Sequence, residues 1–176
     1  MPWEIIILNY DGAPPRLVAD SSREQHLTLG TLNEVRAHIS SALPRTEWVT
    51  EPPLIEFMKR NDSDSWKEWD TDSIASASRP KLKAYYENDG VSFEMYGFDQ
   101  DCPVQYFILE VRGDEDPIPT LRALCSPKGW SAHEMCRDAE FLDLDPDKQG
   151  HWSVWENFRN FVIGHGRQTS GDDTAR

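Results

Sequence analysis

The sequence predicts an α+β fold: a mostly antiparallel sheet of about five or six strands packed by about three helices. Three observations carry that prediction. Residue patterns run in the order β, α, β, β, β, α, β, β, α along the chain. A tight-turn signal, "ENDG", separates two β-rich segments. With 176 residues, 38% hydrophobic and 11% aromatic, the chain can build one core of ordinary size. A single domain over residues 1–165 is expected, with a partly irregular excursion near 45–80 and a disordered polar tail at 166–176.

"WEIIILNY" (3–10) is short and β-branched, which favours a strand. Its unbroken apolar run predicts a central strand covered on both faces. "TLNEVRAHISSALP" (31–44) reads as the first helix. Leu32, Val35, Ile39 and Ala42–Leu43 share one face, Thr31 and Glu34 form a capping box, and Pro44 closes it. Residues 45–80 are the least legible. "LIEFMKR" suits a helical turn or two, and the rest mixes prolines, acids, serines and Trp66 and Trp69 in a stretch too short to bury its own core.

"KLKAYYENDGVSFEMYGF" (81–98) predicts two strands around "ENDG", because Asn-Asp-Gly accepts the positive φ of a tight hairpin. "PVQYFILEVRG" (103–113) predicts another strand. A helix then starts near Pro117, and "GWSAHEMCRDAEFLDL" (129–144) suggests two short strands around "RDAE". "SVWENFRNFVIGHG" (153–166) predicts a last helix, with Val154, Trp155, Phe158, Phe161 and Val162 along one side.

Charge narrows the class of partner. Asp and Glu number 31 against 18 Lys and Arg, a formal net charge of −13. Such a chain repels nucleic acid and anionic membranes unless bases cluster locally, and "RPKLK" is the longest basic-leaning piece. The acidity points to a basic protein partner, or only to solubility. No run approaches the ~20 apolar residues of a membrane span. Nothing resembles a secretory signal, and Cys102, Cys125 and Cys136 lack a disulfide framework spacing, so a cytoplasmic setting is expected.

Three segments invite chemistry. Asp114, Glu115 and Asp116 could be an acidic site, but Pro117 and Pro119 mark a first helical turn. Asp116 then serves as cap, with its neighbours near the positive end of the helix dipole. A hard cation would need about six oxygens from more than this stretch. "DPDKQGHWSVWE" (145–156) partly fits a calcium loop, with Asp145, Asp147, Gly150, Ser153 and Glu156 in place. Gln149 and Trp152 depart from that pattern, and Ser153 with Glu156 also reads as a capping box. The alternative function, a metal-dependent or calcium-responsive module, would use 143–156 with 114–116. The five histidines show no ligand pairing, "HEMCR" is not a zinc motif, and no phosphate loop or nucleophile elbow is present. No catalytic residue, cofactor or metal is assigned. The third segment is the excursion. Asp62, Asp64, Trp66, Trp69, Asp70 and Asp72 suit a surface for a basic partner, although the two Trp could equally anchor the loop to the core.

Several pieces in order resemble one family: "WEIIILNYDG", "LGTLNEVRAHISSALPRTEW", "GVSFEMYG", "FILEVRGDEDPIPTLRALCSPKGW", "EFLDL" and "GHWSVWENFRNFV". The chain looks like small, uncharacterised bacterial cytosolic proteins similar to immunity proteins of polymorphic or type VI toxin systems. The resemblance covers most of 3–44 and 89–163 and departs near 50–85. It implies a non-catalytic role, neutralising a cognate toxin by direct contact. No catalytic residue comes with it.

Overall fold

"WEIIILNY" becomes β1 (Trp3–Tyr10), the strand around which the sheet is arranged. The computed structural model describes residues 3–21, 25–61, 65–98, 103–135 and 140–145. In chain order the remaining elements are β2 (His26–Leu27), α1 (Leu32–Ala42), β3 (Glu47–Glu51), α2 (Leu54–Arg60), α3 (Thr71–Ala77), β4 (Lys81–Asn88), β5 (Val91–Tyr96), β6 (Phe107–Gly113), α4 (Ile118–Cys125), β7 (Ser131–Glu134) and β8 (Glu140–Phe141). The fold is α+β, as expected, with one antiparallel sheet ordered β3-β4-β5-β6-β1-β7-β8 and β2 paired to the end of β1. That is more strands than predicted. The difference lies in the two-residue β2 and in β3, which the illegible stretch hid. The expected last helix at 153–166, the calcium-like segment from 146 onward and the tail lie outside the described residues.

Burial on β1 alternates from Trp3 to Ile7, rather than covering both faces throughout. Trp3, Ile5 and Ile7 are buried, and Glu4 and Ile6 are half-buried. The second face is closed only further along, where Leu8 and Tyr10 are buried. Antiparallel sheets commonly pack one face and leave the other partly wet. Here α1 supplies Val35 and Ile39, its C-cap supplies Leu43, and α4 supplies Leu121, Leu124 and Cys125, to the same core as Phe93, Met95, Phe107 and Leu109. The Thr31–Glu34 capping box forms as predicted.

The "VRGDEDP" stretch is a junction. Gly113 adopts φ +122 at the end of β6, and the Gly90 carbonyl accepts from the N–H groups of Asp114 and Glu115 (3.0 and 3.4 Å). Asp116 Oδ1 accepts from Ile118 N at 2.9 Å, the expected bond to a first-turn N–H, although the N-cap position itself is Pro117, one residue later than expected. After α4, Gly129 takes the left-handed conformation that turns the chain into buried Trp130 and β7.

Candidate interaction surface

The face of the sheet away from α1 and α4 carries an unusual row of charge. Strand alternation places Glu4, Lys83, Tyr85, Glu94, Tyr96, Ile108 and Glu110 on this face. Register then sets Tyr85 opposite Glu94, Glu94 opposite Glu110, and Glu110 opposite Glu4. Like charges directly opposite one another destabilise a sheet. Two cations offset them. Lys83 Nζ lies 2.8 Å from Glu94 and 3.1 Å from Glu51, and Arg112 lies 2.7 Å from Glu110 and 3.9 Å from Glu94. The Tyr96 hydroxyl donates to Glu4 Oε1 at 3.4 Å.

Residues in α2 and the loop before β6 turn this face into a groove of about 720 Å³. Leu54, Phe57, Tyr106 and Ile108 line it with Glu51 and Glu94. Phe57 is 62% exposed, Leu54 43% and Tyr106 39%. These three are half of the exposed large hydrophobic side chains among the described residues, which also include Val49 on neighbouring β3. Apolar side chains left in water and gathered in one place mark interaction surfaces more often than scattered ones do.

Burial and nearby carboxylates shape the titration of this face. Desolvation, then the charges of Glu4 and Glu110, push Tyr96 up to about 12. Lys83 is held well above its ordinary value, first by its hydrogen bond to Glu94 and further by Glu51, against desolvation. An unfolded tyrosine ionises near ~10. Stability from Tyr96 is therefore complete below pH ~10 and declines toward pH ~12, as the unfolded chain alone loses that proton. Lys83 acts with the same sign. Its contribution is present below the unfolded lysine value and is lost as pH rises through the folded one. Urea unfolding across this window should show stability falling with pH, with a shallower fall in Tyr96→Phe. Identical slopes would remove Tyr96 from the account.

The excursion acids take a different place. Asp70 caps α3, its Oδ1 accepting from the N–H groups of Asp72 and Ser73 and its Oδ2 from the Ser73 hydroxyl. The Ser73 side-chain bond, then its backbone N–H, lowers the Asp70 carboxyl. Asp72 is exposed in the first turn of α3. Trp66 and Trp69 are both half-buried, and Lys59 Nζ sits 5.1 Å over the Trp66 ring. Asp62 and Asp64 lie outside the described residues. Among the six predicted contact residues, Asp70 thus has a local structural task, and the groove lies elsewhere on the excursion, at α2.

Other reactive side chains are occupied. Ser21 Oγ lies 2.6 Å from the Val18 carbonyl and also meets His26 Nε2. The single hydroxyl proton belongs between the two oxygens, so the imidazole donates to Ser21 and is not placed as its base. His38 Nε2 meets the Leu124 carbonyl at 2.7 Å, and His133 is buried between the rings of Tyr10 and Phe141. Cys125 is buried, and burial pushes its thiol up to about 12, far from a thiolate at neutral pH. Among the described residues no three His, Cys, Asp or Glu side chains converge as metal ligands. No helix among them is long and apolar enough to cross a membrane.

No family model, curated protein or solved structure matches the chain. Sequence reasoning missed the groove, although part of its signal was present. Glu4, Glu94 and Glu110 each stand between apolar residues in a strand pattern, but only the register aligns them.

Proposed function

We propose that this chain is a non-catalytic binding protein that neutralises a cognate bacterial toxin by direct contact, with the groove beside α2 as its contact surface. The observation that carries the reading is the gathering of exposed Leu54, Phe57 and Tyr106 in one concavity whose charged lining is Glu51, Glu94 and Glu110 with Lys81 and Lys83. Apolar anchors inside a charged rim are the anatomy of a protein interface. The net charge of −13 favours a basic partner and speeds its encounter, while the groove's own glutamates are paired with Lys83 and Arg112. The order of "VRGDEDP" and "KGW", similar to immunity-type proteins, supports the same role in the cytoplasm, with a protein rather than a nucleic acid as partner.

The direct experiment is to express the product of the adjacent gene with and without this chain. Growth arrest by that product, relieved by this chain, is the expected result. The paired variant Leu54→Asp with Phe57→Asp should fold normally and lose about 100-fold or more in affinity, since each anchor accounts for about 2 kcal/mol. A harmless neighbour that does not bind would sink the proposal.

A further inference from the structure

Beside the groove, the sheet ends in a strand with no further strand paired to its outer side among the described residues. β3 is terminal in the strand order, with β4 as its neighbour. The direction of its backbone groups follows from the adjacent hairpin. β4 and β5 are joined by Asp89 and Gly90 alone, at φ +43 and +84, with Asn88 paired to Val91. In a two-residue hairpin of this type the closing pair exchanges both hydrogen bonds, and such pairs alternate along the ladder. Asn88, Tyr86 and Ala84 therefore bond toward β5, while Tyr85, Lys83 and Lys81 bond toward β3. Their partners are Glu47, Val49 and Glu51. That leaves the N–H and C=O groups of Trp48 and Thr50 directed outward. Among the described residues neither takes a backbone partner beyond the sheet.

The strand is held firmly. Trp48 Nε1 donates to Ser40 Oγ at 3.0 Å, Arg36 lies 5.1 Å over its ring, and Phe98 packs against it at 5.1 Å. Edge strands are commonly protected by Pro, Lys, a bulge or a covering element. Glu47–Glu51 contains neither Pro nor Lys, and its register with β4 runs without a bulge, so its protection is its shortness and the charge of Glu47 and Glu51, which acts against like-charged strands only. Its open-face side chains are Glu47, Val49 and Glu51; Val49 is 41% exposed, and Glu51 also pairs with Lys83 at 3.1 Å, so Glu47 carries most of the open charge. Charge selects among occupants. A second copy in full antiparallel overlap about Val49 would set Glu47 opposite Glu51, twice, which is unfavourable. A strand carrying Lys or Arg at those two positions is favoured instead.

We propose that β3 is a docking strand that adds an extended segment of the protein partner to the sheet, a segment of pattern basic-x-apolar-x-basic. This rests on the binding role proposed above and names its mode. The probe is a capped peptide with a Lys-Thr-Val-Thr-Lys core, with Glu-Thr-Val-Thr-Glu as control, added to the full chain while amide exchange is followed by NMR. In the free protein the amides of Trp48 and Thr50 should exchange quickly, and those of Glu47, Val49 and Glu51 slowly. The lysine peptide should slow Trp48 and Thr50 about tenfold or more, and the control peptide should not. Thr50→Pro removes an outward N–H, which an edge strand tolerates, and should abolish that protection with the fold intact. Slow exchange at Trp48 and Thr50 without peptide, or protection that survives Thr50→Pro, would overturn the inference. Toxin rescue without peptide docking removes this mode alone. Docking without rescue removes the toxin reading alone.

Discussion

Gly113→Ala is expected to cost about 4 kcal/mol or more and to lower Tm by about 10 °C or more. Two penalties combine. At φ +122 an alanine is strained whatever its surroundings. Its Cβ would also stand 1.9 Å from the Gly90 carbonyl oxygen. That oxygen cannot simply retreat, because it receives the N–H groups of Asp114 and Glu115. Relieving the clash means lifting the β4–β5 turn from the end of β6 and exposing those amides. Gly129→Ala is the control. Its φ is +66 and nothing lies within 4 Å of the added Cβ, so it should cost only about 1 kcal/mol. Thermal melts of the two variants decide the matter, and equal losses would show that the Gly90 contact is irrelevant.

Phe107→Ala should cost about 3–5 kcal/mol, measured by denaturant unfolding. Its ring is fully buried and links two others, Phe98 stacked at 5.3 Å and Trp130 edge-on at 5.9 Å. Phe98 in turn meets Trp48, and Trp130 meets His38. The chain of rings ties the edge strand β3 to helix α1 and to the turn after α4. Its loss should therefore also speed amide exchange along β3. Phe107→Leu keeps most of the volume and should lose about 1.5 kcal/mol or less beyond the ring contacts. A loss below 1 kcal/mol in the alanine variant would contradict the core described here.

Elements with strong local grammar were legible. The capping box at Thr31 and Glu34, the Asn-Asp-Gly turn, and the proline-marked start of α4 are decided by residues a few positions apart. "TEWVTE" was missed although Trp48, Val49 and Thr50 are β-formers. The prolines, acids and serines that follow it masked a short strand whose pairing partner starts thirty positions later, at Lys81. One of the expected contact residues also has a local role. Asp70 has the composition of a binding surface and the position of a cap, and geometry separates the two.

The sequence by itself determined the fold class, the start of α1 and of α4, the β4–β5 turn, the acidity, and which strand residues are apolar, but not α3. Each depends on local conformation or on composition. Tertiary structure alone decided that Glu4, Glu94 and Glu110 stand in one row, that Leu54, Phe57 and Tyr106 share one groove, and that the backbone groups of Trp48 and Thr50 face outward. Those facts depend on pairing register between distant strands, where a shift of one residue would send every side chain to the other face.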